Sequence, residues 1–336
     1  MTEVTERPEE AGVTARGVAR RIVTHENAVI GLALAILIAA LGGASRGATV
    51  TASNIANVLL QSSVRGVVAV GQAFVILTAN IDLSVSGIGI MAMMLGGAMI
   101  TTQWQNIVVP LLGHPASIYM AIPVMLVVGA CWGLLNGVLV SRLNIPSLIA
   151  TFGVWQLGYG AAYYVTNGEA LMELPENLAV YGDLPAAPIT FFAVAAVAYF
   201  VLNHTSFGRN VYATGGNPVS AFLSGINARR TQLYVFAISG LLAALGGLMF
   251  MSRGMAASIE ALRGLELDSI AACAIGGISL FGGQGNMIGV ILGALMIGVI
   301  NNAISVMHMG HAGRYIIKGA IIIGAVAADI LRRRGR

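Results

Sequence analysis

Thr205-Ser-Phe-Gly-Arg-Asn-Val-Tyr-Ala-Thr-Gly-Gly-Asn-Pro-Val-Ser-Ala-Phe-Leu-Ser-Gly-Ile-Asn-Ala-Arg-Arg230 is the longest segment after residue 27 that a lipid bilayer would reject. Three arginines sit in it (Arg209, Arg229 and Arg230), and apolar runs flank it on both sides. Pro218 followed by Val219 to Ser224 and then Gly225 predicts a two-turn helix, with proline in its first turn and glycine past its end. Two readings fit. The segment is either a short capped helix that docks a soluble partner, or a solvated loop between membrane helices.

The surrounding composition is that of a membrane protein. Hydrophobic residues make up 57% of the 336 and charged residues only 10%, against about 25% in a soluble domain. The net charge of +4 does not imply nucleic acid. The 18 basic residues include a single lysine, Lys318, so no basic face tracks a phosphate backbone. Cys131 and Cys273 both fall in apolar runs and suggest neither a disulfide nor a metal site. Residues 1–27 mix glutamates with Arg7, Arg16, Arg20 and Arg21, too long and acidic for the basic start of a signal peptide. The first apolar run therefore reads as a retained helix.

Ten apolar spans follow: 27–43, 56–79, 83–101, 118–141, 147–166, 187–203, 232–252, 267–281, 286–308 and 314–331. Three of them (83–101, 147–166 and 267–281) are short or interrupted by glycine, the pattern of helices that enter a membrane part-way. Ten crossings put both termini on one side, with Arg7, Arg16, Arg20, Arg21, Arg142, Arg209, Arg229, Arg230, Arg332, Arg333, Arg334 and Arg336. The other side keeps Arg46, Arg253, Arg263 and Arg314. Twelve against four makes the termini and the 204–231 segment cytoplasmic. The organisation expected is an N-terminal tail (1–26), a membrane domain (27–331) and a basic tail (332–336). Gly129, Gly133 and Gly137, spaced by four, read as a helix-packing face.

No stretch carries a Gly-Lys-Ser/Thr phosphate loop, a His-Glu-x-x-His motif or an embedded carboxylate pair. Any ATP and Mg must be bound by another chain, and this chain itself calls for no cofactor and no enzymatic role. Asp82 and Asp268 each stand at the start of a span. They read as helix caps, or alternatively as substrate contacts, and their similar settings suggest an internal repeat of five helices plus five. Arg65 and Lys318 lie inside spans and require a protein-facing partner, with either aspartate available. The amides Gln61, Gln72, Asn80, Asn136, Gln156, Asn301 and Asn302 offer paired donors and acceptors for a polyhydroxylated solute, or hydrogen bonds between helices.

The motifs in order resemble the permease subunits of ribose-type carbohydrate ABC importers. Gly71-Gln-Ala-Phe-Val-Ile-Leu-Thr-Ala-Asn-Ile-Asp-Leu-Ser84 is similar to that family's G-x-x-F-V-I-x-T-G-G-I-D-L-S. Gly133-Leu-Leu-Asn-Gly-Val-Leu-Val140, Ile145-Pro-Ser-Leu-Ile-Ala-Thr151, Phe207-Gly-Arg209, Gly215-Gly-Asn217 and Ala221-x-x-Ser-Gly-Ile226 continue the match. Leu265-Glu-Leu-Asp-Ser-Ile-Ala271 and Ile275-Gly-Gly-Ile-Ser-Leu280 extend it, so the resemblance spans about 55–331. It implies an all-α polytopic membrane protein with the type II fold of vitamin B12 importer permeases. It implies residence in a bacterial inner membrane, with a second permease chain, a cytoplasmic ABC ATPase and a periplasmic sugar-binding protein as partners. It also makes 204–231 the coupling segment, with Arg209, Gly216, Asn217, Ala221, Ser224, Gly225 and Ile226 at the ATPase. Gln72, Asn80, Asp82, Ser84, Asn136, Asn301 and Asn302 are the expected pathway residues. Ala79 and Asn80 replace two glycines of the pattern, and Ser86-Gly87 inverts its usual order. The solute therefore stays open among pentoses, hexoses, sugar alcohols and sugar-like signals. An autonomous secondary transporter or channel is the rival reading, disfavoured by the scarcity of ionisable groups inside the spans.

Overall fold

The computed structural model describes residues 26–103, 106–309 and 311–334. The expected N-terminal tail, but for Glu26, lies outside them, as do Arg336 and the side chains of Arg332, Arg333 and Arg334. The described chain is helical throughout, its one β contact an isolated bridge between Leu171 and Ala257. The helices are α1 (Glu26–Ala44), α2 (Ala52–Leu77), α3 (Val85–Ile100), α4 (Val109–Leu112), α5 (Ile118–Ser141), α6 (Ser147–Thr166) and α7 (Ala186–His204). They continue as α8 (Ser206–Gly216), α9 (Pro218–Leu223), α10 (Ala228–Gly254), α11 (Leu265–Ile275), α12 (Met287–Val306) and α13 (His311–Arg334). Each of the ten apolar spans overlaps one of these helices, but 267–281 runs past the end of α11 at Ile275. Among the described residues, six helices (α1, α2, α5, α7, α10 and α12) are long and apolar enough to cross a bilayer. Helix α3 is apolar but has 16 residues, and α11 has only 11.

Helix α2 is the axis of the bundle. Every residue from Gly66 to Leu77 is buried, under α7, α10, α11 and α12. A helix apolar on all faces is a core helix rather than a lipid-facing one, and α1 is the opposite case. It lies at the periphery along α12, with Leu32 and Ile36 exposed.

Helices α5 and α10 meet at close range. Gly129, Gly133 and Gly137 of α5 meet Gly240, Phe236 and Leu233 of α10 backbone to backbone. A Cβ on Gly133 would overlap the Phe236 carbonyl, and one on Gly240 would overlap that of Gly129. The absence of side chains along this seam lets dispersion and Cα–H···O contacts act at short range, which is the main source of helix association where lipid is as apolar as leucine. The glycine face read from the sequence is this seam.

Helix α2 stops because Thr78 and Ala79 close its last turn, with the Thr78 and Ala79 amides donating to Val75 and Ile76. Ala79 takes a left-handed φ of 59°, the conformation glycine would adopt at least cost. Residues 78–84 then run irregularly through the protein before α3 begins. The expected two-turn helix is α9. Asn217 caps it by accepting from the amides of Val219 and Ser220, both at 3.0 Å, and Gly225 follows with φ 77°. Helix α8 was not expected. The sequence read as loop there, but Thr205 caps it by accepting from Gly208 N–H at 3.2 Å.

Gly240→Ala must push α10 off α5. It is expected to destabilise the protein by about 1–3 kcal/mol, read as a lower unfolding temperature of the detergent-solubilised chain. Gly254→Ala, whose Cβ meets nothing within 4 Å, is the control and leaves that temperature unchanged.

Candidate functional site

Four of the expected pathway residues converge at the irregular segment after α2. The Asp82 Oδ1 accepts from the Ser84 amide at 2.9 Å and from the Ser84 hydroxyl. Its Oδ2 accepts from the Ser239 hydroxyl of α10 at 2.8 Å. Asn136 Nδ2 of α5 donates to Ser84 Oγ at 2.6 Å. The Gln72 amide of α2, turned to satisfy both its ends, donates to the Asp82 carbonyl at 3.0 Å and accepts from the Asp82 amide at 3.1 Å. All five residues are fully buried.

Within the described residues no cation reaches Asp82. Its carboxyl group is met by neutral dipoles from Ser84, at the start of α3, and from Ser239 of α10, the arrangement that permits a carboxyl in a medium of low dielectric. Asp82 is therefore not the N-cap of α3, the role its position suggested; that place belongs to Ser84. The side of the segment towards α6 is held too. Ile81 and Leu83 amides donate to Ser147 Oγ at 3.3 Å and Thr151 Oγ1 at 3.0 Å. Asn80 folds back on its own turn, donating to the Thr78 carbonyl at 2.9 Å. Just beyond, Gly87 crosses Gly158 of α6 with no room for a Cβ on either. The inverted Ser86-Gly87 order thus puts the glycine where α3 and α6 touch.

Asp268 is the second buried carboxylate, and its surroundings are different. It lies in the first turn of α11, whose N-cap is Gly264, so it is not a cap either. Arg65 Nε of α2 reaches its Oδ2 at 3.1 Å and Lys318 Nζ of α13 reaches its Oδ1 at 2.7 Å. Asn301 Nδ2 of α12 adds a contact at 3.3 Å. Both cations left open by the sequence therefore choose the same aspartate. Asn302, the neighbouring pathway candidate, does not join them. It pairs reciprocally with Asn54 at 2.8 and 2.9 Å.

The Asp268 cluster forms part of the wall of a cavity of about 720 Å³ between α2, α6, α10, α11, α12 and α13. Its rim is the 255–264 segment, where Tyr159 Oη and Arg263 Nη1 each donate to Glu260 at 2.8 Å. The Tyr159 hydroxyl first, then Arg263, holds the Glu260 carboxyl below its ordinary value.

At the end of the bundle where α2 stops, α8 lies directly on the chain. The Gly283 amide donates to the Leu77 carbonyl at 2.9 Å, and Gly215 of α8 has no room for a Cβ against that carbonyl. Tyr212 Oη donates to the Gly285 carbonyl at 3.0 Å. Of the residues expected at a partner, Ala221 is buried against the bundle, Ile226 is half-buried, and Arg209, Gly216, Asn217, Ser224 and Gly225 are exposed. Sequence reasoning passed over Val219, Phe222 and Leu223, which are 69%, 75% and 80% exposed. An apolar face on a segment outside any membrane span was the signal for them. Ser239 was missed, since its partner Asp82 is far off in sequence.

An apolar helical bundle with six helices long and apolar enough to cross a bilayer among its described residues, and with its polar groups bonded inside, has the make-up of a multi-pass membrane protein. Residues 54–326 match the family described as branched-chain amino acid transport system / permease component, and the chain belongs to that family. Its relatives include the ribose import permease protein RbsC of Haemophilus influenzae, 36% identical, with 82% of this chain and 84% of the relative covered. The galactose/methyl galactoside import permease protein MglC of Escherichia coli is also 36% identical, with 83% and 87% covered. The xylose transport system permease protein XylH of Haemophilus influenzae is 30% identical, with 90% and 96% covered. No solved structure matches the chain.

Two substitutions separate the two carboxylate sites. Ser239→Ala leaves Asp82 Oδ2 without a donor and is expected to cost about 1–3 kcal/mol. Asp268→Asn leaves Arg65 and Lys318 facing each other and is expected to cost about 3 kcal/mol, the low end for a broken buried pair because both cations keep some exposure. Adding Lys318→Met to Asp268→Asn restores part of that loss, whereas adding it to Ser239→Ala restores none. Thermal unfolding of the purified variants reads all four.

Proposed function

We propose that this chain is the translocation subunit of an ATP-driven sugar importer. Its relatives are named for ribose, galactose and xylose import or transport, and that shared solute class carries the reading. Solute passes from a periplasmic binding protein to the cytoplasm as a pair of permease chains alternates between two open states. Ten helices cross the membrane, counting the short α3 and α11. The termini and the α8–α9 pair face the cytoplasm, and the bundle has the fold of vitamin B12-type importer permeases. A neutral solute is consistent with the scarcity of charge inside the spans.

The ATPase docks on α9. Val219, Phe222 and Leu223 form an exposed apolar face on a segment with Arg209, Arg229 and Arg230 around it, and desolvation of such a face is the usual core of a protein contact. ATP and Mg belong to that partner. The Gly215–Leu77–Gly283 contact then links the docking helix to the end of α2, and the Asp82 network links that end to α5 and α10. Gln72, Asp82, Ser84 and Asn136 act on the pathway by holding its walls in register, while Asn301 stands in a wall itself.

The test is sugar uptake by proteoliposomes containing this chain, its ATPase and its binding protein. Uptake that needs all three and ATP is the expected result; uptake by this chain alone on an ion gradient makes it a secondary transporter instead. Phe222→Asp puts a charge into the contact and is expected to lower stimulated ATP hydrolysis and uptake by about 30-fold, the effect of losing a central anchor worth about 2 kcal/mol. Retained stimulation in Phe222→Asp removes α9 from the interface.

A further inference from the structure

Helix α1 stands off the bundle along part of its length. Between it and helices α2 and α12 lies a cleft of about 230 Å³ that shares no residue with the cavity beside Asp268. Ile38 and Leu41 of α1, Ile55 and Leu59 of α2, and Leu295 and Val299 of α12 line it. None of the six is fully covered. Ile38 is 40% and Ile55 49% exposed, and the other four are half-buried, so the cleft is reachable from outside the protein. Helices α1, α2 and α12 are each long and apolar enough to cross a bilayer, and the medium outside the cleft is therefore hydrocarbon.

Water does not suit this space. A buried water needs several polar partners, and the polar groups at the end of the cleft are already engaged with each other. Asn302 pairs with Asn54 in both directions at 2.8 and 2.9 Å, and Thr49 Oγ1 lies 2.9 Å from Ser45 Oγ. An apolar cavity of this kind stays dry and takes up apolar guests. Left empty, it forfeits the dispersion contacts of its lining. The same end of the cleft carries a charge. Arg46 stands in the turn that joins α1 to Thr49, where Arg46 and Gly47 take left-handed φ values of 51° and 89°. It is exposed and makes no ion pair among the described residues. An arginine just past the end of a membrane span reaches headgroup level, where phosphate is the abundant anion.

We propose that the cleft between α1, α2 and α12 is a binding site for a single phospholipid, with one acyl chain between the three helices and the phosphate on the Arg46 guanidinium. Arginine's planar fork matches a pair of phosphate oxygens. The acyl chain supplies the contacts that α1, packed mainly on α12, lacks on its inner face, so the lipid acts as a wedge holding α1 to the bundle. Apolar volume and a cation follow one another here in the order in which a phospholipid carries its tail and its phosphate, and a second protein helix has no such order. The site is independent of what the chain transports.

Native mass spectrometry tests it, on the purified full chain stripped of lipid in detergent and titrated with palmitoyl-oleoyl phosphatidylglycerol. The expected result is saturable binding of one lipid per chain. Leu295→Trp fills the cleft and is expected to weaken that binding about tenfold, the worth of about two buried methylenes. Arg46→Gln, at an exposed position, is expected to weaken it about fivefold, one arginine's attraction for an anionic headgroup. Dihexanoyl phosphatidylglycerol, with the same headgroup on short chains, binds more weakly than the long-chain lipid. Absence of a saturable one-to-one complex overturns the site. So does binding that both substitutions leave unchanged, the mark of lipid that merely surrounds the protein. A lipid-free dimer that Leu295→Trp breaks overturns it as well, since the cleft then belongs to a second copy. If Leu295→Trp does not fold, the other two arms decide: binding indifferent to Arg46, or equal for long and short chains, removes the site.

Discussion

A helical bundle in lipid that interrupts one of its own helices must supply every polar group of the break from within the protein, because no water is at hand to do so. The segment 78–84 is where that constraint falls hardest, and most of the bundle's arrangement follows from meeting it. Gln72 takes the Asp82 backbone, Ser147 and Thr151 take the Ile81 and Leu83 amides, and Ser84 and Ser239 take the Asp82 carboxylate. Those partners sit on α2, α3, α6 and α10, and Asn136 brings in α5. The polar break therefore fixes the relative positions of five helices whose apolar surfaces alone would specify them poorly. Apolar packing in lipid is non-directional, and hydrogen bonds supply the register.

The two buried aspartates show that one residue type in one kind of medium has two stable solutions. Asp82 is solvated by neutral donors and touches no cation among the described residues. Asp268 is neutralised by Arg65 and Lys318 and retains spare donor capacity around it. The first solution gives a rigid joint, since Ser84 stands at the buried start of α3 and Ser239 is held within packed α10. The second gives charged groups beside open volume, and one of its members is carried by α13, a helix held mainly against α11. Desolvation makes the second arrangement costly in stability terms, which is why its placement beside a cavity rather than in the core is informative.

Much of this was legible in the sequence, for identifiable reasons. The apolar spans marked the helices because hydropathy over about 20 residues is a strong constraint, and the glycine spacing of α5 marked its packing face. Pro218 and Gly225 bounded α9 because each acts through its own backbone. Helix α8 escaped notice, since Thr205 is its start signal and its residues, though amphipathic with Gly208, Val211 and Gly215 buried, are not strongly apolar. Gln72, Asp82, Ser84 and Asn136 were singled out correctly as polar groups that a membrane protein must explain, but which of them meet each other is a matter of tertiary contact. Ser239 lies 157 positions from Asp82 and Asp268 203 positions from Arg65; no local pattern encodes such pairs. The aspartates looked like helix caps because an acidic residue at a span boundary usually is one; here Asp268 goes to distant cations, while Asp82 keeps the local Ser84 amide and adds Ser239 of α10.

The contact of Gly215 with the Leu77 carbonyl and the Gly282–Gly283 turn has a mechanical meaning. Side chains between two moving parts act as springs: rotamers give, and a push at one face arrives at the other softened and delayed. At Gly215, Leu77 and Gly283 the parts touch backbone to backbone, and Gly283 N–H closes that point of the joint with a hydrogen bond. There is no rotamer to absorb displacement, so the joint has almost no play. A machine whose input stroke is only an ångström or two loses much of it to any slack along the way, and a glycine-lined joint is how a chain of soft side chains is made to behave as a stiff lever.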